Sequence, residues 1–240
     1  LLVFIPRDYY VPLQCPNGSC ETGAMDKLTH AGLYGVETSQ ATLSKLFDIK
    51  INYNVRLNFD TLTTMVDALG GIDIYSDQDV ELLHGKGCNI KKGTQHVDGR
   101  CALGFARERY AYETGDRHRG ENQQQVIEAM LKKFTKANVI KNYESIMNAV
   151  QGMFQTNMTT DEITALIQMQ IDDMASWDVQ SYHLDGDGSQ RTKTLATVGD
   201  VTKVNPLGMF ITIPDQTSID QAKQYLQSVM NNEIIKVKDE

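Results

Sequence analysis

The chain opens with an unbroken apolar run, Leu1 to Ile5, halted by Pro6, which is the pattern of a buried strand running into a Pro-Arg-Asp turn. A loop rich in Pro, Gly and Cys follows to about residue 25. Apolar residues then return at helical spacing at Leu28, Ala31, Leu43, Leu46 and Phe47, which predicts two helical pieces broken near Gly35. "INYNVRLNF" alternates Ile51, Tyr53, Val55, Leu57 and Phe59 against polar neighbours, the period-two pattern of a half-buried strand. "DTLTTMVDALGG" reads as a helix with Asp60 or Thr61 as N-cap and Gly70 or Gly71 in the left-handed position at its end. "IDIYS" is a strand. Strand, helix and strand in this order form a crossover unit and favour an α/β fold with helices on the faces of a sheet.

Residues 81 to 98 read as a polar, Gly-rich loop, and 98 to 109 hold a short apolar segment ending in Arg107 and Arg109. Helices are expected over 119–137, 140–154 and 159–174, the last capped by Thr159 or Thr160, followed by a strand over 179–184. "LDGDGSQRTKT" reads as a turn-rich surface loop, "MFITIP" as a strand, and 216–232 as a helix capped by Thr217 or Ser218. A single domain over residues 1–235 with a frayed tail at 236–240 is the expected organisation, with no internal repeat or low-complexity tract.

Composition narrows the function. A chain of 240 residues with 41% apolar content can build one substantial core. Its net charge of −8 argues against nucleic-acid binding, which needs a broad basic face. No stretch reaches the roughly 18 apolar residues of a membrane span, and no signal-peptide pattern is expected within these residues. "LLVFIPRDYY" starts directly in a buried-strand pattern, so an upstream segment is expected to precede it. Four cysteines fall into two local pairs, Cys15 with Cys20 in "CPNGSC" and Cys88 with Cys101, which suit disulfides in an oxidising compartment. Zinc is the weaker reading, since neither spacing matches a C-x2-C knuckle.

Against that acidic background, five of the eight arginines lie between residues 100 and 119. In the helix that follows, an inward stripe of Val126, Met130 and Phe134 extends back to Gln123 and Arg119. An arginine pointing inward beside the N–H groups of a helix start makes an anion site suited to phosphate. The competing account is a solvated face on which these arginines pair with Glu108, Glu113, Asp116 and Glu121. Arg117, one position off the stripe, reads as surface. A second polar knot, Arg7 and Asp8, stands at the C-terminal end of the first strand, where ligands of α/β sheets gather. Lys27 and His30 share one helix face, and a histidine in that setting is usually structural. "VDALGGIDI" has its glycines after a helix and before a strand, the reverse of a phosphate loop. No G-x-S-x-G context supports a serine hydrolase, and "LDGDGSQ" lacks the Glu of a calcium loop.

"IPRDYYV", "DKLTHAGLYG", "VRLNFDTLTTMVDALGGIDI", "VDGRCALGFARERY" and "GDRHRGENQQQVIEAMLKK", in that order, resemble the LytR-CpsA-Psr family, strongly over residues 1–137 and loosely beyond. These are extracytoplasmic, membrane-anchored proteins of mainly Gram-positive bacteria. The resemblance implies a three-layer α/β/α fold around a central mixed β-sheet with an apolar lipid-binding tunnel. It also implies transfer of a glycopolymer, whether teichoic acid, capsule or another wall polymer, from an undecaprenyl-pyrophosphate carrier to peptidoglycan. Arg7, Lys27, Arg107, Arg109, Arg119 and Gln123 would then hold the substrate. Arg7, Asp8, Arg107, Arg109, Asp116 and Arg119 would form the catalytic set, with Asp8 and Asp116 orienting arginines, contacting Mg²⁺ through water or acting as base. The implied partners are the polyprenyl-pyrophosphate-linked polymer, the peptidoglycan acceptor and, through an upstream anchor, the membrane at the extracellular face of the cell. The resemblance also implies a Ser-Asp pair upstream of residue 1 whose Asp helps bind Mg²⁺, so the metal ligands within these residues stay open, with Asp8 one possibility. Asn122 stands where many members carry a second arginine.

Two other activities share this residue set. A prenyl-pyrophosphate phosphatase would use the same anion grip with water as acceptor. A non-catalytic lipid or glycan carrier or regulator would use it for binding alone.

Overall fold

The computed structural model describes residues 1–85, 87–112, 115–134, 152–173, 177–192 and 208–237. Its strands are β1 (Leu2–Phe4), β2 (Tyr10–Pro12), β3 (Met25–Lys27), β4 (Val55–Leu57), β5 (Ile72–Ser76), β6 (Val80–Glu81), β7 (Asn89–Ile90), β8 (Gly93–Val97), β9 (Phe154–Thr156), β10 (Ser181–His183), β11 (Gly186–Thr192) and β12 (Met209–Pro214). Its described helices are α1 (Leu28–Ala31), α2 (Val36–Phe47), α3 (Phe59–Ala68), α4 (Gly99–Arg107), α5 (Asp116–Phe134), α6 (Thr160–Asp173) and α7 (Gln216–Met230). The chain is thus a mixed α/β protein, and it divides into two compact units: Leu1–Asn54 with Val179–Glu240, and Val55–Asp178.

In the first unit, β1 pairs in parallel with β10, Leu2 opposite Ser181 and Phe4 opposite His183. β2 pairs antiparallel with β3 and brackets the loop closed by the Cys15–Cys20 disulfide, whose Cα atoms are 5.5 Å apart. Tyr9 bridges to Thr212 of β12, and the Tyr9 hydroxyl donates to the Asp185 carbonyl. Burial and the nearby Asp185 and Asp215 carboxylates push that hydroxyl well above its ordinary pKa, so it stays protonated and donating. Tyr9, Val11, Leu13, Phe47, Leu184 and Ile219 form the core. α1 and α2 are separate pieces because Gly35, at φ 115°, takes a conformation closed to other residues.

The second unit packs α3, α4 and α5 against β5 and its antiparallel partner β8, around Val66, Ile72, Ile74, Phe105 and Val126. β5 keeps strict alternation, with Ile72, Ile74 and Ser76 buried. Gly99 lets α4 approach α3: a Cβ there would overlap the Thr63 carbonyl. A second disulfide, Cys88–Cys101, ties α4 to the turn after β6, again with Cα atoms 5.5 Å apart.

Several expectations from the pattern are corrected. The strand over residues 51–59 is only Val55–Leu57, and its apolar side chains are exposed rather than buried. Asn58, not Asp60 or Thr61, caps α3, its Oδ1 accepting the Thr61 N–H at 2.7 Å, and this turns the chain into helix at Phe59. The strand-helix-strand order is present, but β4 pairs antiparallel with β9 and β5 antiparallel with β8, so the crossover is not a parallel pair among the described residues. The polar 81–98 segment contains β7 and β8, and "LDGDGSQRTKT" contains β11. β7 pairs with β6, β8 with β5 and β11 with β12, and such backbone ladders leave no mark in side-chain alternation. Asp215, not Thr217 or Ser218, caps α7. α5 begins at Asp116, earlier than expected, while Thr159 and Glu162 exchange the reciprocal bonds of a capping box at the start of α6. In the tail, the Val237 N–H donates to Gln180 Oε1 at 2.7 Å, and residues 238–240 lie outside the described residues. The expected helix over 140–154 lies outside the described residues except at its end, where β9 begins at Phe154. Among the described residues no helix is long and apolar enough to cross a membrane.

Candidate functional site

The candidate residues lie in two clusters, one in each unit. In the first, the turn after β1 carries Arg7 and Asp8, and three backbone bonds fix it. The Asp8 carbonyl accepts the Thr212 N–H at 2.8 Å, the Tyr9 carbonyl that of Leu28 at 2.8 Å, and the Arg7 carbonyl that of Thr29 at 2.9 Å. The start of α1 is therefore stitched to the Arg-Asp turn. Lys27, at the end of β3, reaches Asp8 Oδ1 with its Nζ at 3.0 Å, and Arg7 Nε stands 3.8 Å from the same oxygen. The Lys27 side chain is 7% exposed and that of Arg7 60%, so one cation braces the carboxylate from inside and the other from solvent. Asp8 Oδ2 has no hydrogen-bond partner among the described residues.

Beside this cluster lies a pair that pattern reading passed over. Asp26, fully buried, accepts the Lys27 N–H at 2.7 Å, and its Oδ1 is 2.8 Å from His30 Nδ1. A buried carboxylate needs such partners, and the pair staples β3 to α1. The i, i+4 spacing of Asp26 and His30 was its only sequence signal.

In the second unit, Asp98 caps α4 by accepting the Cys101 N–H at 2.8 Å, and α4 delivers Arg107 at its last position. The Arg107 guanidinium lies 4.6 Å from the centroid of the Phe59 ring, and that of Arg109 lies 4.6 Å from the Tyr110 ring, whose hydroxyl it also bonds. Glu108, between them, is 2% exposed and pairs with neither. Burial disfavours its charged form, but backbone N–H donors at Leu83, Tyr110, Ala111 and Arg109 outweigh that and hold its carboxyl below the usual range. The account in which Glu108 neutralises adjacent arginines is therefore wrong for this residue.

The α5 stripe is also corrected. Asn122, Val126 and Met130 are buried, whereas Gln123 is exposed. The burial stripe steps back from Val126 by four rather than three. Asn122 Nδ2 donates to the Phe105 carbonyl and Gln123 Nε2 to the Ala106 carbonyl, both at 3.1 Å, so the two amides cap the C-terminal end of α4. Arg119 is half-buried in the first turn of α5. The side chains of Asp116 and Arg117 lie outside the described residues, as does Glu113. His118 stacks on Tyr112 with ring centroids 3.4 Å apart.

Among the described residues, the only group of three or more His, Cys, Asp or Glu ligand atoms close enough to hold a metal is Cys88, Asp98 and Cys101, and its two cysteines are bonded to each other. An open hollow of about 550 Å³ lined by Asp185, Gly186, Asp187, Ile213, Pro214 and Asp215 contains no candidate residue, and its three carboxylates repel anions.

Comparison with known proteins gives these clusters a context. A Bacillus cereus polyisoprenyl-teichoic acid–peptidoglycan teichoic acid transferase TagU is 35% identical over 162 residues, 67% of this chain and 50% of the relative. The TagU of Bacillus licheniformis is 27% identical over 233 residues, 96% of this chain and 67% of the relative. The chain thus spans about half the length of the first of these curated relatives. Among solved structures, protein gbs0355 from Streptococcus agalactiae matches with TM-score 0.76 at 24% identity, covering 99% of this chain and 77% of that one. Bacillus subtilis TagV matches with TM-score 0.73 at 23% identity, covering 95% and 82%. These likenesses show a shared fold. The LytR_cpsA_psr family model matches residues 1–208, which takes in both cationic clusters, and the chain belongs to that family.

Proposed function

We propose that this chain is the catalytic part of an extracytoplasmic phosphotransferase-type ligase that moves a glycopolymer from a polyprenyl-pyrophosphate carrier to peptidoglycan. Family membership and the transferase names of the relatives support the reading. The observation that carries it is Asp8, held by Lys27 and Arg7 through one oxygen while the other remains uncommitted. The finer architecture belongs to the same proposal: a central sheet between helical layers, and an apolar tunnel for the prenyl chain. Exposed Val55, Leu57 and Phe59, which a soluble surface would not ordinarily gather in one short stretch, are its candidate lining.

In the reaction, a hydroxyl of the acceptor attacks the sugar-linked phosphorus, a new P–O bond forms, and the bond to the prenyl phosphate breaks. Negative charge grows on the phosphate oxygens, and preorganised cations stabilise it. Arg7 and Lys27, beside Asp8, are cations of that kind, and Arg107, Arg109 and Arg119 are the further candidates for the same role. The hydroxyl proton passes to a carboxylate, Asp8 or Asp116. Magnesium binds through one or two carboxylates plus phosphate oxygens and water, so Asp8 Oδ2 fits as its ligand. Bound there, the ion would supply further charge neutralisation at the phosphates.

The test is incubation with a prenyl-pyrophosphate-linked glycopolymer, Mg²⁺ and peptidoglycan fragments, followed by mass analysis of the fragments. Polymer-bearing fragments are expected, and Asp8→Asn is expected to bind the lipid without transferring the polymer. Phosphate release without transfer would replace the ligase by a phosphatase. Tight binding with no turnover in the unaltered chain would leave only a carrier.

A further inference from the structure

Glu108 lies between Arg107 and Arg109 in sequence but pairs with neither side chain. Glu108 instead directs both oxygens at the main chain. Oε1 accepts the N–H groups of Arg109 at 3.0 Å, Tyr110 at 2.8 Å and Ala111 at 3.2 Å, and Oε2 accepts that of Leu83 at 2.9 Å. Three consecutive N–H groups converging on one oxygen define the turn that carries Arg109. The fourth bond ties that turn to the Leu82–Cys88 loop.

That loop is itself fastened to α4. Cys88 is bonded to Cys101, and the loop closes on itself through Cys88 N–H to the Gly85 carbonyl at 2.7 Å. Gly104 packs so closely on Gly85 that a Cβ would stand 3.0 Å from the Gly85 Cα. On the other side, Asn122 and Gln123 occupy the last carbonyls of α4. The backbone on both sides of Glu108 is therefore fixed, and the guanidinium groups leave from fixed points.

We propose that Glu108 is a positioning residue: its buried carboxylate gathers four main-chain N–H groups so that Arg107 and Arg109 are presented together to a pyrophosphate. The proposal rests on the anion-grip reading given above. A side chain that merely supported the fold would affect every ligand alike. One that sets the arginines affects the charged head of the ligand and not its apolar tail.

The experiment compares farnesyl pyrophosphate with farnesol as probes of the unaltered chain, Glu108→Gln and Glu108→Ala, alongside amide hydrogen exchange at residues 83 and 109–111. Glu108→Gln retains an oxygen for the 109–111 amides and sets an NH2 against the Leu83 N–H. It is expected to lose protection at Leu83 and to weaken farnesyl pyrophosphate binding about tenfold, the effect of one charge-assisted bond. Glu108→Ala is expected to release all four amides and weaken it further, with farnesol binding unchanged in both. Equal weakening of both probes, or amide release with pyrophosphate affinity intact, overturns the positioning role alone. Should Glu108→Ala fail to fold, the glutamine variant decides by the same ratio. An unaltered chain that binds farnesol but not farnesyl pyrophosphate overturns the anion grip, and this role with it.

Discussion

Lys27 Nζ lies 3.0 Å from Asp8 Oδ1 and keeps only 7% of its side chain exposed, so its charge is compensated from within the protein. Replacing it with the isosteric Met leaves Asp8, 27% exposed, to water and Arg7. Lys27→Met should cost about 1 kcal/mol or less in urea denaturation, since the remaining charge can hydrate. Transfer activity should fall at least about tenfold, because the carboxylate loses its fixed aim. A large stability loss with activity retained would make the pair structural.

Arg119, half-buried at the start of α5, should behave differently from a core residue. Arg119→Ala should abolish activity while leaving the melting temperature within a few degrees, since its value comes from the ligand rather than from packing. Calorimetry beside the transfer assay decides it.

The two amides that cap α4 should separate in stability. Asn122→Ala removes one of two donors to the buried Phe105 carbonyl, which keeps the Glu108 N–H, and empties a buried position, so it should cost about 1–2 kcal/mol. Gln123→Ala, at an exposed position, should cost about 0.5 kcal/mol or less. Equal urea midpoints for the two variants would contradict the buried stripe through Asn122.

Glu108 predicts an acid limb in the stability curve. Its folded pKa is depressed, so its contribution is fully present above the unfolded value near about 4.3 and is lost as pH falls through the folded value below it. Denaturation between pH 6 and pH 2 should show this loss in the unaltered chain, and Glu108→Gln should flatten it. An unchanged slope in the variant would contradict the depressed pKa.

Gly99→Ala should separate α3 from α4, because the added Cβ overlaps the main-chain Thr63 carbonyl and no flexible side chain can yield. A loss of about 1–3 kcal/mol is expected, typical of overpacking. A neutral result would show that the two helices can slide apart.

How much of this was legible in the sequence follows from the range of the interactions involved. Alternation in "IDIYS", the helical spacing in α2 and the Gly70–Gly71 helix stop are local properties, and pattern reading placed them correctly. The grouping of five arginines between residues 100 and 119 of an acidic chain is likewise a property of composition and spacing alone. The family motifs extended that reading to a ligand class.

Partnership between distant residues was decided only by tertiary structure. Exposed β11 is a strand because β12 hydrogen-bonds to it, although its side chains carry no pattern. "INYNVRLNF" alternates perfectly, yet Val55 and Leu57 remain exposed, because alternation encodes two faces and not which face is covered. Asn122 is buried and Gln123 is exposed although both amides reach α4 carbonyls, a choice of inward face that helical periodicity leaves within one residue. Glu108 curls onto the N–H groups of residues 109–111, and its second oxygen is satisfied only because Leu83, distant in sequence, is brought within 2.9 Å of it. Local propensity and charge are properties of the residues themselves, whereas burial and hydrogen-bond partners arise only when separate segments compete for the same space.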